Sequence, residues 1–212
     1  MGYFEEHSEK YLISPGTKLC QVFGKTENAN ASVALVKMEK NAKGLLHYHD
    51  NITEIYFFSN QTGIININGI EHQVKAGECF VIPANNTHFI DAKENMNFMC
   101  VCIPPWTEEH EFVTREFISN IDIERHDEYG ILFENEKLKV EYNKILANNI
   151  FEKTCELGGR EVYYFAKGSG KIIIDGITKE IHEGEGFEIL EGQNISIVPK
   201  DELIYMVVID NF

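Results

Sequence analysis

The chain has 212 residues, with 19 Lys and Arg against 34 Asp and Glu and a formal net charge of −15. So acidic a chain lacks the clustered cations that grip phosphate, which argues against nucleic acid or an anionic membrane as partner. No run of about 20 apolar residues offers a membrane span, and 16 glycines among Ile- and Val-rich runs without a sustained helical period point to an all-β protein.

The first residues, through about Ser14, either fray or add a strand to a barrel. They are too acidic for a secretory signal, and Glu6 breaks the myristoylation pattern, so a cytoplasmic protein is expected. His47-Tyr48-His49 comes next, and on a strand the two imidazoles share a face. Glu54 opens the strand-forming run Ile55-Tyr56-Phe57-Phe58 and shares its face with Tyr56. Asn68-Gly69 marks a hairpin. The stretch from Gly77 to Pro83 reads as a strand closed by proline, and the polar turn after it returns His88 towards the same pocket. Three neutral imidazoles (His47, His49, His88) and the Glu54 carboxylate suit one divalent transition metal per chain, Fe, Mn, Ni, Co or Zn. They fill four positions of an octahedron and leave the others for water or substrate.

Further along, Cys100 and Cys102 share one face of the strand Phe98–Ile103. With Cys20, Cys79 and Cys155 they read as free thiols of a reducing compartment, buried and inert, with pocket lining as the alternative for this pair. Pro104-Pro105 ends the strand. Residues 106–118 form a short helix or an extended connector, and 120–129 are polar and acidic. Two domains are therefore expected, 1–120 and 121–212. His7, His72, His110 and His126 are expected in solvent.

The chain also repeats itself. A shift of 107 lays residues 54–89 over 161–196 without a gap, with twelve of 36 positions identical, mostly turn glycines and alternating apolar residues. Asp175-Gly176 matches Asn68-Gly69. Of the four candidate ligands only Glu161 persists: His47 falls on Thr154, His49 on Glu156 and His88 on Ile195. Glu156, Glu161 and His182 read as a solvated surface rather than a second site.

These residues resemble the cupin superfamily. Its first motif, His-x-His, three or four residues, Glu, six residues, Gly, meets His47, His49 and Glu54, with Gln61 where the glycine belongs. Its second, Gly, five residues, Pro-x-Gly, two residues, His, meets Gly77, Pro83 and His88, with Asn85 in the glycine place. Gly44 stands closer to the first histidine than the family's glycine does. The second repeat keeps glycines that the first has lost, Gly168 and Gly192. The resemblance implies two tandem jelly-roll barrels, the first holding metal on His47, His49, Glu54 and His88 and the second a scaffold without metal. It implies a small-molecule partner and leaves a homodimer open. A metalloenzyme of dioxygenase or isomerase/lyase type acting on an oxygen-bearing metabolite is expected, with Tyr56 as a candidate acid or hydrogen-bond donor. The alternative is a non-catalytic module that binds metal and a small ligand, since fold alone does not set reaction type.

Overall fold

The structure is a computed structural model that describes residues 2–3, 16–23, 29–60, 63–119, 121–123, 125–126 and 128–211, with backbone only at 2–3 and 18–23. His7, Gln61 and the Cys20 side chain lie outside the described residues. Strand β1 is Gly2–Tyr3. The strands β2 (Thr17–Phe23), β3 (Ser32–Met38), β4 (His47–His49), β5 (Thr53–Phe58), β6 (Gly63–Ile67) and β7 (Ile70–Gln73) follow. After them come β8 (Cys79–Ile82), β9 (His88–Ala92), β10 (Met96–Ile103), a 3-10 turn at Glu108–His110, β11 (Glu111–Val113) and β12 (Arg125–His126). The C-terminal half carries β13 (Gly130–Glu134), β14 (Leu138–Ile145), β15 (Phe151–Thr154), β16 (Gly159–Lys167) and β17 (Gly170–Ile174). It ends with β18 (Ile177–Ile181), β19 (Glu185–Leu190), β20 (Asn194–Pro199) and β21 (Leu203–Asn211).

Two compact units result, Glu6–Asp127 and Glu128–Phe212, the latter including Met1–Glu5. In the first, the sheet β12-β8-β5-β10-β3-β2 faces the sheet β11-β4-β9-β6-β7. Period-two alternation turns Tyr56, Phe58 and Phe98 from one sheet and Ile65, Ile67 and Ile90 from the other into a single core. In the second, β1-β19-β16-β21-β14-β13 and β15-β20-β17-β18 enclose Tyr163, Phe165, Tyr205, Ile172, Ile195 and Ile197. Each unit is a jelly roll, and the chain is all-β as its composition implies.

Both hairpins take the primed turn that follows strand twist, with positive φ at both central residues: Asn68 54° and Gly69 90°, Asp175 49° and Gly176 80°. Gly63 and Gly170 are equivalent in the two repeats because backbone crowds them. A Cβ would stand 3.0 Å from the Asp91 carbonyl oxygen at Gly63 and 2.7 Å from that of Val198 at Gly170.

The unit boundary falls at Asp127/Glu128 rather than near residue 120. Arg125 and His126 pair with Phe80 and Cys79, which extends the first barrel's sheet past the acidic stretch. The N-terminal Gly2–Tyr3 pairs with Glu188 and Phe187 of β19, in the C-terminal unit. His126 is exposed, whereas His72 and His110 are half-buried, His72 beside Asp122 (3.2 Å) and His110 bonded to Asp50 (2.8 Å). Residues 106–118 are an extended connector with one 3-10 turn. Among the described residues, no helix is long and apolar enough to cross a membrane.

Candidate metal centre in the first barrel

Strand pairing assembles the site. Antiparallel register sets His47 opposite His88, Glu54 opposite Ile82, and Cys102 opposite Glu54. His47, His49, Glu54 and Tyr56 line a cavity of about 130 Å³ together with Cys100, Cys102, Trp106 and Glu111. His88 reaches it from β9, its Nε2 being 2.6 Å from Glu54 Oε2. Ligand atoms of His47, His49 and Glu54 lie within 4.8 Å of one another, and His49 Nε2 is 3.3 Å from Glu54 Oε2. Octahedral donors about 2.1 Å from a central ion stand about 3 Å apart in adjacent positions, so the cluster has the right scale.

Hydrogen bonds outside the cluster set the tautomers. Nδ1 of His47 meets the Leu45 carbonyl at 2.9 Å, that of His49 the His110 carbonyl at 3.1 Å, and that of His88 the Asn86 carbonyl at 3.0 Å. A carbonyl only accepts, so Nδ1 carries the proton in each neutral ring and the Nε2 lone pair is left for the cluster. Glu54, 4% exposed, then has an Oε2 at which no donor hydrogen is directed. Lone pairs and a buried carboxylate gathered in one place require a cation among them, either a metal or a second proton on an imidazole.

The protonation balance agrees. Burial lowers His47 to about 4, helped by the neighbouring His88, which keeps it neutral and able to ligate. Burial is the largest single influence on His49 and acts downwards, but the Glu54 carboxylate, the Glu111 charge and the His110 carbonyl together raise that ring, favouring a second proton on Nε2 when no metal is bound. Burial pushes the Glu54 carboxyl up, yet His88 and His49 hold it well below the usual carboxylate range. Tyr56 OH lies 3.4 Å from Glu54 Oε1 and 3.2 Å from His88 Nε2. Burial, then the Glu54 charge, push its phenol well up, so it stays protonated and able to donate.

The second barrel shows the same carboxylate with another solution. Glu161 is 1% exposed; Tyr163 OH donates to its Oε2 and Lys153 Nζ to its Oε1, each at 2.7 Å. Lys153 pairs with Ile195 as His47 pairs with His88, so Lys153, not Thr154, occupies the His47 position. The connection to Glu161 is one residue longer than its counterpart, and the gapless alignment conceals that offset. Here the chain supplies an ammonium as the buried carboxylate's counter-charge. Glu156 and His182 are exposed and do not join Glu161.

Sequence reasoning missed two further residues that line the cavity, Glu111 and Trp106. β11 pairs with β4, placing Glu111 opposite His49 and Phe112 opposite Tyr48, whose rings stack at 5.1 Å. Trp106 Nε1 donates to Glu111 Oε2 at 2.8 Å. Pro104-Pro105 marked the end of β10, but nothing local announces that the connector returns as a strand. Cys100 and Cys102 do line the cavity and are also buried, at 8% and 6% exposure.

The folds of solved proteins define the class. The cupin 2 conserved barrel protein of Leptotrichia buccalis superposes with a TM-score of 0.63 at 15% identity, covering 92% of this chain and 89% of that one. The salicylate 1,2-dioxygenase of Pseudoaminobacter salicylatoxidans superposes at 0.64 with 10% identity, covering 91% and 73%. The protein has the cupin fold. Within that class, the ectoine synthase family profile matches residues 6–115, and the chain belongs to that family. L-ectoine synthase of Vibrio campbellii is 20% identical over 103 residues, 48% of this chain and 80% of the relative. That of Aliivibrio fischeri is 21% identical over 108 residues, covering 49% and 84%. The matched part is the barrel that carries the cluster.

Proposed function

We propose that the first barrel is a metalloenzyme centre in which His47, His49, Glu54 and His88 hold one divalent transition metal and act on a small, oxygen-bearing metabolite. One observation carries the reading: Glu54 is buried beside three Nε2 lone pairs with no Lys or Arg among the described residues lining its cavity, whereas Glu161 at the equivalent place has Lys153. The donor set, imidazole and carboxylate, suits Fe, Mn, Co, Ni or Zn. Such an ion supplies Lewis acidity, polarising a carbonyl or stabilising charge on oxygen.

The chain's own groups do the rest. Tyr56 is held neutral beside the ligands and donates a proton or a hydrogen bond to the substrate oxygen. Glu111, fixed by Trp106, is the other carboxylate among the described residues lining the cavity, so it takes a hydrogen-bond donor or a positively charged substituent on the same molecule. Apolar Val36, Met38, Phe89 and Phe98 exclude water around them. The volume suits a small metabolite rather than a drug-sized ligand.

Kinship with the ectoine synthases favours the lyase branch over oxygenase or isomerase chemistry. The test uses the full chain loaded with Fe, Mn, Co or Zn and offered L-ectoine and related small carboxylates, with and without oxygen. Turnover independent of oxygen supports the reading. Dioxygen consumed in proportion to substrate would replace it with an oxygenase. A ligand bound tightly and always recovered unchanged would replace it with a binding module.

A further inference from the structure

Glu54 has two oxygens, and the histidines use only one. Oε1 faces the other way, towards Cys100 Sγ at 3.4 Å and Cys102 Sγ at 3.7 Å, and the two sulfurs are 3.8 Å apart. The register explains the grouping: Cys102 lies beside Glu54 and Cys100 beside Tyr56 in the ladder between β10 and β5, so all point into the same cavity. A tetrahedral ion with sulfur at about 2.3 Å and oxygen at about 2.1 Å has S···S edges of about 3.8 Å and S···O edges of about 3.6 Å. The three observed separations reproduce one face of that tetrahedron. The fourth corner opens on the cavity.

We propose that Cys100 Sγ, Cys102 Sγ and Glu54 Oε1 form a second cation site, selective for a thiophilic ion such as Zn(II) or Cd(II), back to back with the histidine cluster. Two thiolates and one carboxylate oxygen favour a soft or borderline ion over Mg, Ca or Mn. Binding exchanges one proton from each thiol for a metal–sulfur bond, so the ion gains two anionic ligands and releases two protons. No oxidant is needed.

The second barrel offers a control within the molecule. Its positions equivalent to Cys100 and Cys102 are Val207 and Ile209, the latter pairing with Glu161 as Cys102 pairs with Glu54. Aliphatic side chains therefore suffice to fill that wall of the barrel. The thiol pair stands where Glu54 Oε1 has only the long contact from Tyr56 OH (3.4 Å) besides the thiols themselves, and is replaced where Lys153 and Tyr163 hold both oxygens of Glu161 at 2.7 Å. The site shares Glu54 with the histidine cluster but does not require the proposed reaction.

The experiment is a Cd(II) titration of reduced, chelator-stripped full-length protein, read by thiolate-to-cadmium charge-transfer absorption and by bound cadmium. The expected result is an absorption that saturates at one equivalent. It falls at least tenfold in the Cys100→Ser/Cys102→Ser variant and persists in His88→Ala, Cys79→Ser and Cys155→Ser. Circular dichroism before the titration checks that each variant is folded. Because Ser could disturb the core, a Cys100→Ala/Cys102→Val variant, closer to the second barrel's solution, provides an independent arm with the same expected loss. Absorption that survives both double variants overturns the proposal, as does cadmium uptake without a sulfur band. Loss of the band in His88→Ala with both cysteines present would place the soft ion in the histidine cluster and overturn it too. Failure of the proposed enzymatic reading changes none of these readouts.

Discussion

Replacing Lys153 by Met leaves Glu161, 1% exposed, without its counter-charge. Breaking a buried ion pair from one side costs about 3–5 kcal/mol. Lys153 is 30% exposed, so water screens part of the pair and about 2–3 kcal/mol is expected. For a chain of this length that is a fall in melting temperature of roughly 5–10 °C. Urea unfolding followed by far-ultraviolet circular dichroism measures it, and Glu161→Gln in the same chain supplies the second half of a double-mutant cycle. The double variant carries no buried charge and should recover to within about 1 kcal/mol of the parent, because Met and Gln pack and hydrogen-bond without one. Two results refute the reasoning: a single variant within about 0.5 kcal/mol of the parent, or a double variant less stable than Lys153→Met alone.

In the first barrel the corresponding counter-charge should be removable from solution. With metal at about a thousand times its dissociation constant, chelation should lower stability by about 4 kcal/mol, and His49→Ala should abolish the effect while Lys153→Met does not. The pH dependence follows from His49, whose raised folded value means that its protonated pairing with Glu54 stabilises the metal-free protein below about pH 6.5 and is lost as pH rises through that raised value. Metal must displace that proton, so its affinity, measured by competition with a chelator, should increase from pH 5 to pH 8. Glu111→Gln should raise KM at least tenfold for a substrate with a cationic substituent and leave metal content unchanged; an unchanged KM would remove Glu111 from substrate binding. Asn85, at φ 63°, should tolerate Gly nearly neutrally but lose about 1–2 kcal/mol as Ala in urea unfolding, since a β-carbon there is strained.

Much of the barrel was legible because local chemistry and tertiary need coincide. Asn68-Gly69 and Asp175-Gly176 take the one turn that suits their strands, and the alternation at Glu54, Tyr56 and Phe58 survives as inward-facing side chains. The histidines were legible through spacing on strands. Lys153 was not, because one extra residue before Glu161 moves the equivalence from Thr154 to Lys153, and a one-residue slip exchanges the faces of a strand. Glu111 and Trp106 were not, because their place depends on pairing with β4 and no periodicity within residues 106–118 records that partner. The pairing of Arg125 and His126 with β8 was not legible for the same reason, being a long-range contact in a polar stretch.

The connector ties two tasks to one movement. Its His110 carbonyl orients the His49 ring, and the very next residue, Glu111, lines the cavity beside that ring. Lifting Glu111–Val113 from β4 would therefore remove part of the cavity lining and the anchor of the His49 ring at once. If an ion is held there as proposed, the grip on it and the shape of the cavity beside it would share a single mechanical coordinate.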